Sequence, residues 1–138
     1  MITKLAGYVT NKEFNEKLIP VPYQNMILRN YCNDNNYDYV LPYGELIFKN
    51  NFSQLTTLIS TLDKNTAIIC CSIYMLPNNT LLKSILKKIN DKKTFIYFIY
   101  EDMYLSNKKD LENINLNFNL KKISDSLNSF KVIKTLFN

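Results

Sequence analysis

Few residue types in this chain can move a proton or bind an anion. The 138 residues include no histidine, and Arg29 is the only arginine. A Ser-His-Asp triad or a Cys-His pair is therefore impossible within one chain. Acid–base chemistry would have to use Glu, Asp, Lys, Tyr or Cys side chains. The positions of these residues relative to the predicted strands decide which of them are candidates.

The sequence predicts neither a metal site nor a cofactor. Cys32, Cys70 and Cys71 have no CxxC spacing, and two of them are adjacent, which suits neither a zinc site nor a disulfide. We expect them to be buried free thiols. The only two glycines, Gly7 and Gly44, belong to no GxxxxGK or GxGxxG motif. The usual glycine-rich nucleotide loops are therefore excluded.

The candidate site residues lie at or just after predicted strand ends, or on the first helix. In open α/β sheets, ligands bind beyond the carboxyl ends of the strands. Glu45 and Glu101 lie there and are predicted to act as acid or base. Arg29 would bind an anionic group. The other predicted substrate-binding residues are Thr10, Gln24, Asn25 and Ser72. We expect a single polar region to contain Gln24, Arg29, Glu45, Ser72 and Glu101.

Three of the candidates also have a structural explanation. Arg29 fits a surface or salt-bridged residue, Glu45 fits a solvated loop acid, and Ser72 fits a buried hydroxyl bonded to the backbone. Gln24 and Arg29 are separated by about one and a half helical turns. Gln24, Asn25 and Arg29 therefore cannot all point into one cleft.

The elements that would position these residues alternate between strands and helices. Strands are predicted at residues 5–10, 37–41, 67–74 and 94–100, and helices at 23–32, 52–62 and 81–89. The third strand is apolar on both faces, as in a central parallel strand. Beyond residue 102, we predict helices at 107–114 and 124–137 and a short fifth strand at 116–120. Residues 1–138 are thus predicted to form one three-layer α/β domain with a mainly parallel sheet of four to five strands.

This order of elements resembles the catalytic domain of serine resolvases. Gly7-Tyr8-Val9-Thr10 looks like the end of the first strand in that family, and Gln24 lies near the start of the first helix, as it does there. Glu101 follows the fourth strand, where resolvases also have an acidic residue. The resemblance covers roughly the first hundred residues and implies a resolvase-like or flavodoxin-like topology.

A second resemblance rests on an unusual combination of residues. The chain is similar to the sporadic carbohydrate cluster protein family, small bacterial proteins of surface-polysaccharide gene clusters. The segments that carry this similarity are Gly7-Tyr8, Ile19-Pro20, Gln24-Asn25, Leu28-Arg29, Tyr31-Cys32, Leu41-Pro42, Glu45, Ser72, Leu76-Pro77 and Glu101. The resemblance implies a role in surface glycan synthesis and supplies no reaction.

The reaction of serine recombinases is not expected here. That reaction links a serine to a DNA phosphate within a group of arginines, which stabilise the charge of the transition state. This chain has Thr10 at the position of the nucleophilic serine, and its one arginine is Arg29. We therefore predict no strand transfer and, at most, weak DNA binding without sequence preference.

Two classes of function stay open at this stage, with a degenerate resolvase that binds DNA as a distant third. The first is an accessory protein, acting as an enzyme, of O-antigen or capsule biosynthesis, with a sugar or activated sugar as ligand. The second is a non-catalytic interaction module that docks onto another glycan-biosynthesis enzyme. The net charge of +5 comes from scattered lysines, which does not favour specific nucleic-acid binding. We expect a cytoplasmic protein with no membrane association, and self-association remains open.

Overall fold

The elements of the fold follow the predicted alternation of strands and helices. The computed structural model describes residues 1–14, 18–45, 52–77 and 80–137, with the backbone alone for 41–45 and 129–137. Its strands are β1 (Lys4–Thr10), β2 (Asp38–Glu45), β3 (Thr66–Cys70), β4 (Ile96–Phe98) and β5 (Met103–Leu105). Its helices are α1 (Val21–Asp34), α2 (Ser53–Thr61), α3 (Thr80–Lys92) and α4 (Lys108–Phe137), and a 3-10 turn follows β3 at Ile73–Met75.

The strands form one sheet in the order β2-β1-β3-β4-β5. β1 pairs in parallel with β2 and β3, β3 pairs in parallel with β4, and only β5 is antiparallel to its neighbour. α1 contacts β1 and β2, and α2 and α3 contact each other. Since crossovers between parallel strands are right-handed as a rule, this strand order assigns α1 to one face of the sheet and α2 and α3 to the opposite face. The predicted three-layer α/β fold with a mainly parallel sheet is confirmed.

The central strand is β3, and its sequence explains its position. All five of its residues are buried, because layers of helices cover both faces of the sheet. Burying a side chain such as Ile69 contributes roughly 1.5–3 kcal/mol to stability relative to exposing it. The strand ends at Cys70, earlier than predicted. The reason is local: the Ser72 side chain accepts a hydrogen bond from Tyr74 N and starts the 3-10 turn.

The C-terminal segment is helical at 108–114 and 124–137, as predicted, but the predicted fifth strand at 116–120 was wrong. Residues 116–120 form no strand but belong to α4, which runs without a break from Lys108 to Phe137. The alternating Leu116, Phe118 and Leu120 suggested a strand, yet only Phe118 is buried, together with Ile114 four residues earlier. That spacing is helical. The true fifth strand, β5, has three residues, which is too short to give an alternating pattern.

The cysteines are buried free thiols, as predicted. Burial raises the pKa of the Cys32 thiol to about 11. Burial, with a contribution from the nearby Glu101 carboxylate, raises the pKa of the Cys71 thiol to about 12. Burial also raises the pKa of Cys70 well above its usual range. In the folded protein these thiols therefore keep their protons at pH values where the unfolded chain loses them.

We expect the free energy of unfolding to fall as the pH rises above 9.0, the ordinary pKa of the thiols. Because the folded pKa values are raised, this contribution to stability is complete below pH 9.0 and is lost as the pH rises through the folded values. Urea unfolding at a series of pH values will measure it. A Cys71→Ala variant should show a weaker decline. A midpoint that stays constant or increases over this range would contradict the prediction.

The described residues contain neither a membrane-spanning helix nor a cluster of metal ligands. None of the helices is long and apolar enough to cross a membrane. In the same part of the chain, no group of three or more Cys, Asp or Glu side chains could hold a metal ion.

Candidate ligand-binding site

A crevice opens at the carboxyl ends of β1 and β3. The chain proceeds from β1 to β2 on one side of β1 and then returns to β3 on the other side, so the strand order reverses between β1 and β3. Ligands of open α/β sheets bind at such a position. The sequence predicts a site at this edge of the sheet, in the loops that begin at Thr10 and Ser72.

Two adjoining cavities form this crevice, which we call the switch-point crevice. The inner cavity has a volume of about 180 Å³ and is lined by Tyr8, Thr10, Lys12, Glu13, Phe14, Phe52, Tyr74 and Met75. The outer cavity has a volume of about 230 Å³ and shares Glu13, Phe14 and Tyr74 with it. Its other lining residues are Leu76, Phe118, Lys121, Lys122 and Asp125. Together the cavities reach the lower part of the roughly 300–1,000 Å³ range of small-molecule sites.

Lysines and aromatic rings are paired along this crevice. The Lys12 ammonium lies 5.1 Å from the centre of the Phe52 ring. The Lys121 ammonium lies 5.8 Å from the centre of the Tyr74 ring and 3.0 Å from a carboxylate oxygen of Asp125. Both ammonium groups are within the distance at which a ring attracts a cation. The crevice thus combines three lysines and two carboxylates, Glu13 and Asp125, with flat apolar surfaces.

The 3-10 turn that carries Tyr74 and Met75 is held by Glu101. Ser72 Oγ donates to Glu101 Oε2 at 2.8 Å, and Ile73 N donates to Glu101 Oε1 at 2.7 Å. Tyr74 N donates in turn to Ser72 Oγ at 3.2 Å. Two predicted site residues, Ser72 and Glu101, are therefore in direct contact. Both oxygens of the Glu101 carboxylate accept hydrogen bonds from the turn, so Glu101 positions the wall of the crevice.

Gln24 has a comparable role at the opposite wall. Its side chain is 0% exposed. Thr10 N donates to Gln24 Oε1 at 3.1 Å, and Gln24 Nε2 donates to the carbonyl oxygens of Thr10 and Ile19, each at 2.7 Å. Both ends of the carboxamide are therefore bound to backbone groups. Thr10 Oγ1 accepts a hydrogen bond from Lys12 N at 3.1 Å, which fixes the start of the loop that carries Lys12 and Glu13.

Arg29 and Asn25 lie in a separate group around Tyr39. Tyr39 OH donates to Asn25 Oδ1 at 2.7 Å, and the Arg29 guanidinium lies 5.6 Å from the centre of the Tyr39 ring. Burial raises the pKa of the Tyr39 hydroxyl. Gly7 admits this ring, because a Cβ atom there would clash with the Tyr39 hydroxyl and lie 3.0 Å from Tyr39 Cζ. Glycine is required at position 7 because the Tyr39 ring lies so close to the backbone there.

Hydrogen bonds thus distribute the predicted site residues over three groups. Gln24 is bound to Thr10, Ser72 is bound to Glu101, and Asn25 and Arg29 contact Tyr39. Glu45 is the register partner of Thr10 in the β1–β2 pair, which places its backbone at the carboxyl edge. The Glu45 side chain lies outside the described residues.

The residues that line the crevice were mostly missed by the sequence analysis. Lys12, Glu13 and Tyr74 lie in the two loops that it identified, so their position immediately after β1 and β3 was an available signal. Lys121, Lys122 and Asp125 come from α4, far along the chain. Local sequence contains no signal for them, because only the packing of α4 against Tyr74 brings them to the crevice.

Comparisons with known proteins support the fold. No family model and no curated protein sequence matches the chain. Among solved structures, the chain is similar to a resolvase-family site-specific recombinase from Streptococcus pneumoniae, with a TM-score of 0.59, 11% identity, and coverage of 98% of this chain and 100% of that one. It is also similar to the N-terminal catalytic domain of TP901-1 integrase, with a TM-score of 0.55, 11% identity, and coverage of 88% and 98%. At this identity the likeness shows the fold alone: the chain has a resolvase-like α/β fold.

Proposed function

We propose that the switch-point crevice binds a phosphorylated sugar, such as a nucleotide sugar, and that the protein is an accessory component of bacterial surface-polysaccharide synthesis. The observation that carries the ligand class is the pairing of Lys12 with Phe52 and of Lys121 with Tyr74 along one crevice. The assignment to polysaccharide synthesis draws on the resemblance to the sporadic carbohydrate cluster family.

Each part of such a ligand has a suitable counterpart in the crevice. Phosphate oxygens suit the ammonium groups of Lys12, Lys121 and Lys122, because charge-assisted hydrogen bonds are the strong ones. The apolar face of a sugar ring suits the flat surface of Tyr74. Sugar hydroxyls suit the Glu13 carboxylate, which lines both cavities and accepts hydrogen bonds. Glu13 replaces Glu101 as the carboxylate best placed to contact a ligand.

The proposal predicts that uridine diphosphate sugars raise the melting temperature more than free hexoses or inorganic phosphate do. At a ligand concentration of about 100 times the dissociation constant, the stabilisation is roughly 2.7 kcal/mol. Lys12→Ala should weaken binding by about 1–3 kcal/mol, the value of a charged hydrogen bond, measured by titration calorimetry.

Lys64→Ala is the matched control, because Lys64 is exposed in the turn before β3, at the amino edge of the sheet. It should leave the affinity unchanged. Equal weakening by both substitutions would point to non-specific charge attraction and would count against the site. Binding of none of the sugar phosphates would reject the ligand class.

The non-catalytic interaction module is the second candidate, and the hydrogen bonding of Glu101 favours it. A carboxylate whose two oxygens already accept bonds from Ser72 and Ile73 is poorly placed to exchange a proton with a ligand. Mass spectrometry of the protein incubated with sugar nucleotides separates the two functions. Turnover that is lost in Glu13→Gln supports an enzyme, and binding without any product counts against an enzyme and leaves the module as the candidate.

We propose, further, that the protein performs no DNA strand transfer. Thr10 replaces the nucleophilic serine, and the single arginine, Arg29, lies against Tyr39. The crevice therefore contains no arginine group that could neutralise a reacting DNA phosphate. Denaturing gels of the protein incubated with supercoiled DNA test this proposal, and a trapped covalent protein–DNA species would refute it.

A further inference from the structure

A further cavity lies at the edge of the sheet opposite to the switch-point crevice. It opens at the amino ends of β1 and β3, beside the end of α2, and has a volume of about 320 Å³. That volume lies within the roughly 300–1,000 Å³ range of small-molecule sites. The residues that line it are Lys4, Ala6, Val40, Leu58, Thr61, Leu62, Asp63 and Thr66. We call it the amino-edge cavity.

The sheet and α2 together form an apolar wall of the amino-edge cavity. Ala6 is the register partner of Val40 in the β1–β2 pair, so the two side chains project from the same face of the sheet. Leu58 belongs to α2 and is buried, and Leu62 directly follows the last residue of that helix. Val40 is 37% exposed, so solvent reaches part of this wall. An apolar group of a ligand would be removed from water here.

A buried hydroxyl group also lines the amino-edge cavity. Thr66 is the register partner of Lys4 on β1 and is 5% exposed. Its backbone N–H donates to the Asp63 carbonyl oxygen at 3.2 Å, and its own carbonyl oxygen accepts from Thr94 Oγ1 at 2.9 Å. The Thr66 hydroxyl, by contrast, forms no hydrogen bond with any of the described residues. Since buried polar groups are normally hydrogen-bonded, this hydroxyl indicates a polar group of a ligand beside it.

Two side chains of opposite charge line the same cavity. Lys4 and Asp63 are both exposed, and neither forms an ion pair within the part of the chain that the structure describes. Asp63 follows the end of α2, and the last turn of that helix contains no basic residue. A helix C-terminus has a partial negative charge, so α2 and Asp63 together favour an ammonium group. Lys4 favours a carboxylate.

We propose that the amino-edge cavity binds an α-amino acid with an apolar side chain, such as leucine. Lys4 Nζ donates to the carboxylate of the ligand, and the ammonium group of the ligand donates to the Asp63 carboxylate. The Thr66 hydroxyl donates to the same carboxylate as Lys4, because the two residues are neighbours on paired strands. The side chain of the ligand lies against the apolar wall.

The charges of the cavity separate this class of ligand from others. The phosphates of a nucleotide sugar are repelled by Asp63 and by the end of α2. A fatty acid leaves Asp63 without a partner, and a simple amine leaves Lys4 without one. A zwitterion with an apolar side chain uses both charges, the Thr66 hydroxyl and the apolar wall.

The test is titration calorimetry of the full chain. L-leucine should bind with a dissociation constant below about 1 mM. Leucinamide lacks the carboxylate and isocaproate lacks the ammonium group, so each should bind about tenfold more weakly, because each loses a charged hydrogen bond. Lys4→Ala should weaken leucine binding about tenfold and leave leucinamide binding nearly unchanged, because leucinamide has no carboxylate for Lys4 to contact. Lys4 is exposed, so this variant should fold like the parent.

Lys83→Ala is the matched control, because Lys83 is an exposed lysine on α3, and it should leave the affinity for leucine unchanged. The inference is overturned if leucine does not bind at about 10 mM. It is also overturned if leucine and leucinamide bind equally well, or if Lys4→Ala weakens the binding of both by the same factor. Displacement of leucine by a uridine diphosphate sugar would overturn it too, since leucine would then occupy the switch-point crevice. The inference does not depend on the proposed function, because leucine should bind whether or not sugar phosphates do.

Discussion

Gln24→Leu is expected to reduce the free energy of unfolding by about 3 kcal/mol. The substitution preserves most of the side-chain volume but removes one acceptor and two donated hydrogen bonds. Thr10 N and the carbonyl oxygens of Thr10 and Ile19 then lose their side-chain partner in a region where Gln24 itself is 0% exposed. Leaving a buried polar group without a partner costs roughly 1–3 kcal/mol, and the three losses are not additive.

Urea unfolding of the parent chain and the variant measures this effect. Asn30→Ala is the control, because Asn30 lies on the same helix but is exposed, and it should change stability by less than about 0.5 kcal/mol. If Gln24→Leu is as stable as the parent, the carboxamide does not connect α1 to the end of β1. The original prediction, in which Gln24 binds substrate, would then regain support.

Glu101→Ala is expected to reduce stability by about 2 kcal/mol and to weaken binding at the switch-point crevice by about tenfold. Both effects have one cause. Without the carboxylate, Ser72 Oγ and Ile73 N lose their acceptors, and the 3-10 turn that presents Tyr74 is no longer held. Unfolding experiments and ligand titration measure the two effects separately.

Glu101→Gln distinguishes a positioning role from a catalytic one. Its amide oxygen can still accept one of the two hydrogen bonds, so the losses of stability and affinity should be smaller than in Glu101→Ala. A catalytic carboxylate would behave differently, since Glu101→Gln would then abolish turnover while leaving stability and binding close to the parent. That outcome would contradict the positioning role.

The fold class could be predicted from the sequence alone, because its apolar residues recur with the periods of strands and helices. Residues 67–70 are apolar on both faces, which is compatible with a strand covered from both sides, and the structure places β3 in the middle of the sheet. Apolar residues at helical spacing likewise located α1, α2 and α3. Composition alone also excluded histidine-dependent catalysis, because a residue that is absent from the chain cannot be supplied by its folding.

The conformation of the C-terminal segment depends on how it packs in the tertiary structure. Leu116, Phe118 and Leu120 fit an alternating strand as well as they fit two faces of a helix. Only the burial of Ile114 and Phe118 against the domain selects the helix, because that packing stabilises the helical conformation over the extended one. The same packing leaves Leu116 and Leu120 exposed.

The tertiary structure also determines which residues belong to the candidate site. Position at the carboxyl edge predicted one polar region of five residues, of which Ser72 and Glu101 are hydrogen-bonded to each other, although 29 residues separate them. It did not predict that Glu101 and Gln24 would form their hydrogen bonds with other groups of the chain and not with a ligand. Whether a polar side chain faces a ligand or a backbone group depends on which groups packing brings within about 3 Å of it. That distance is a property of the folded chain, and residue type and spacing do not contain it.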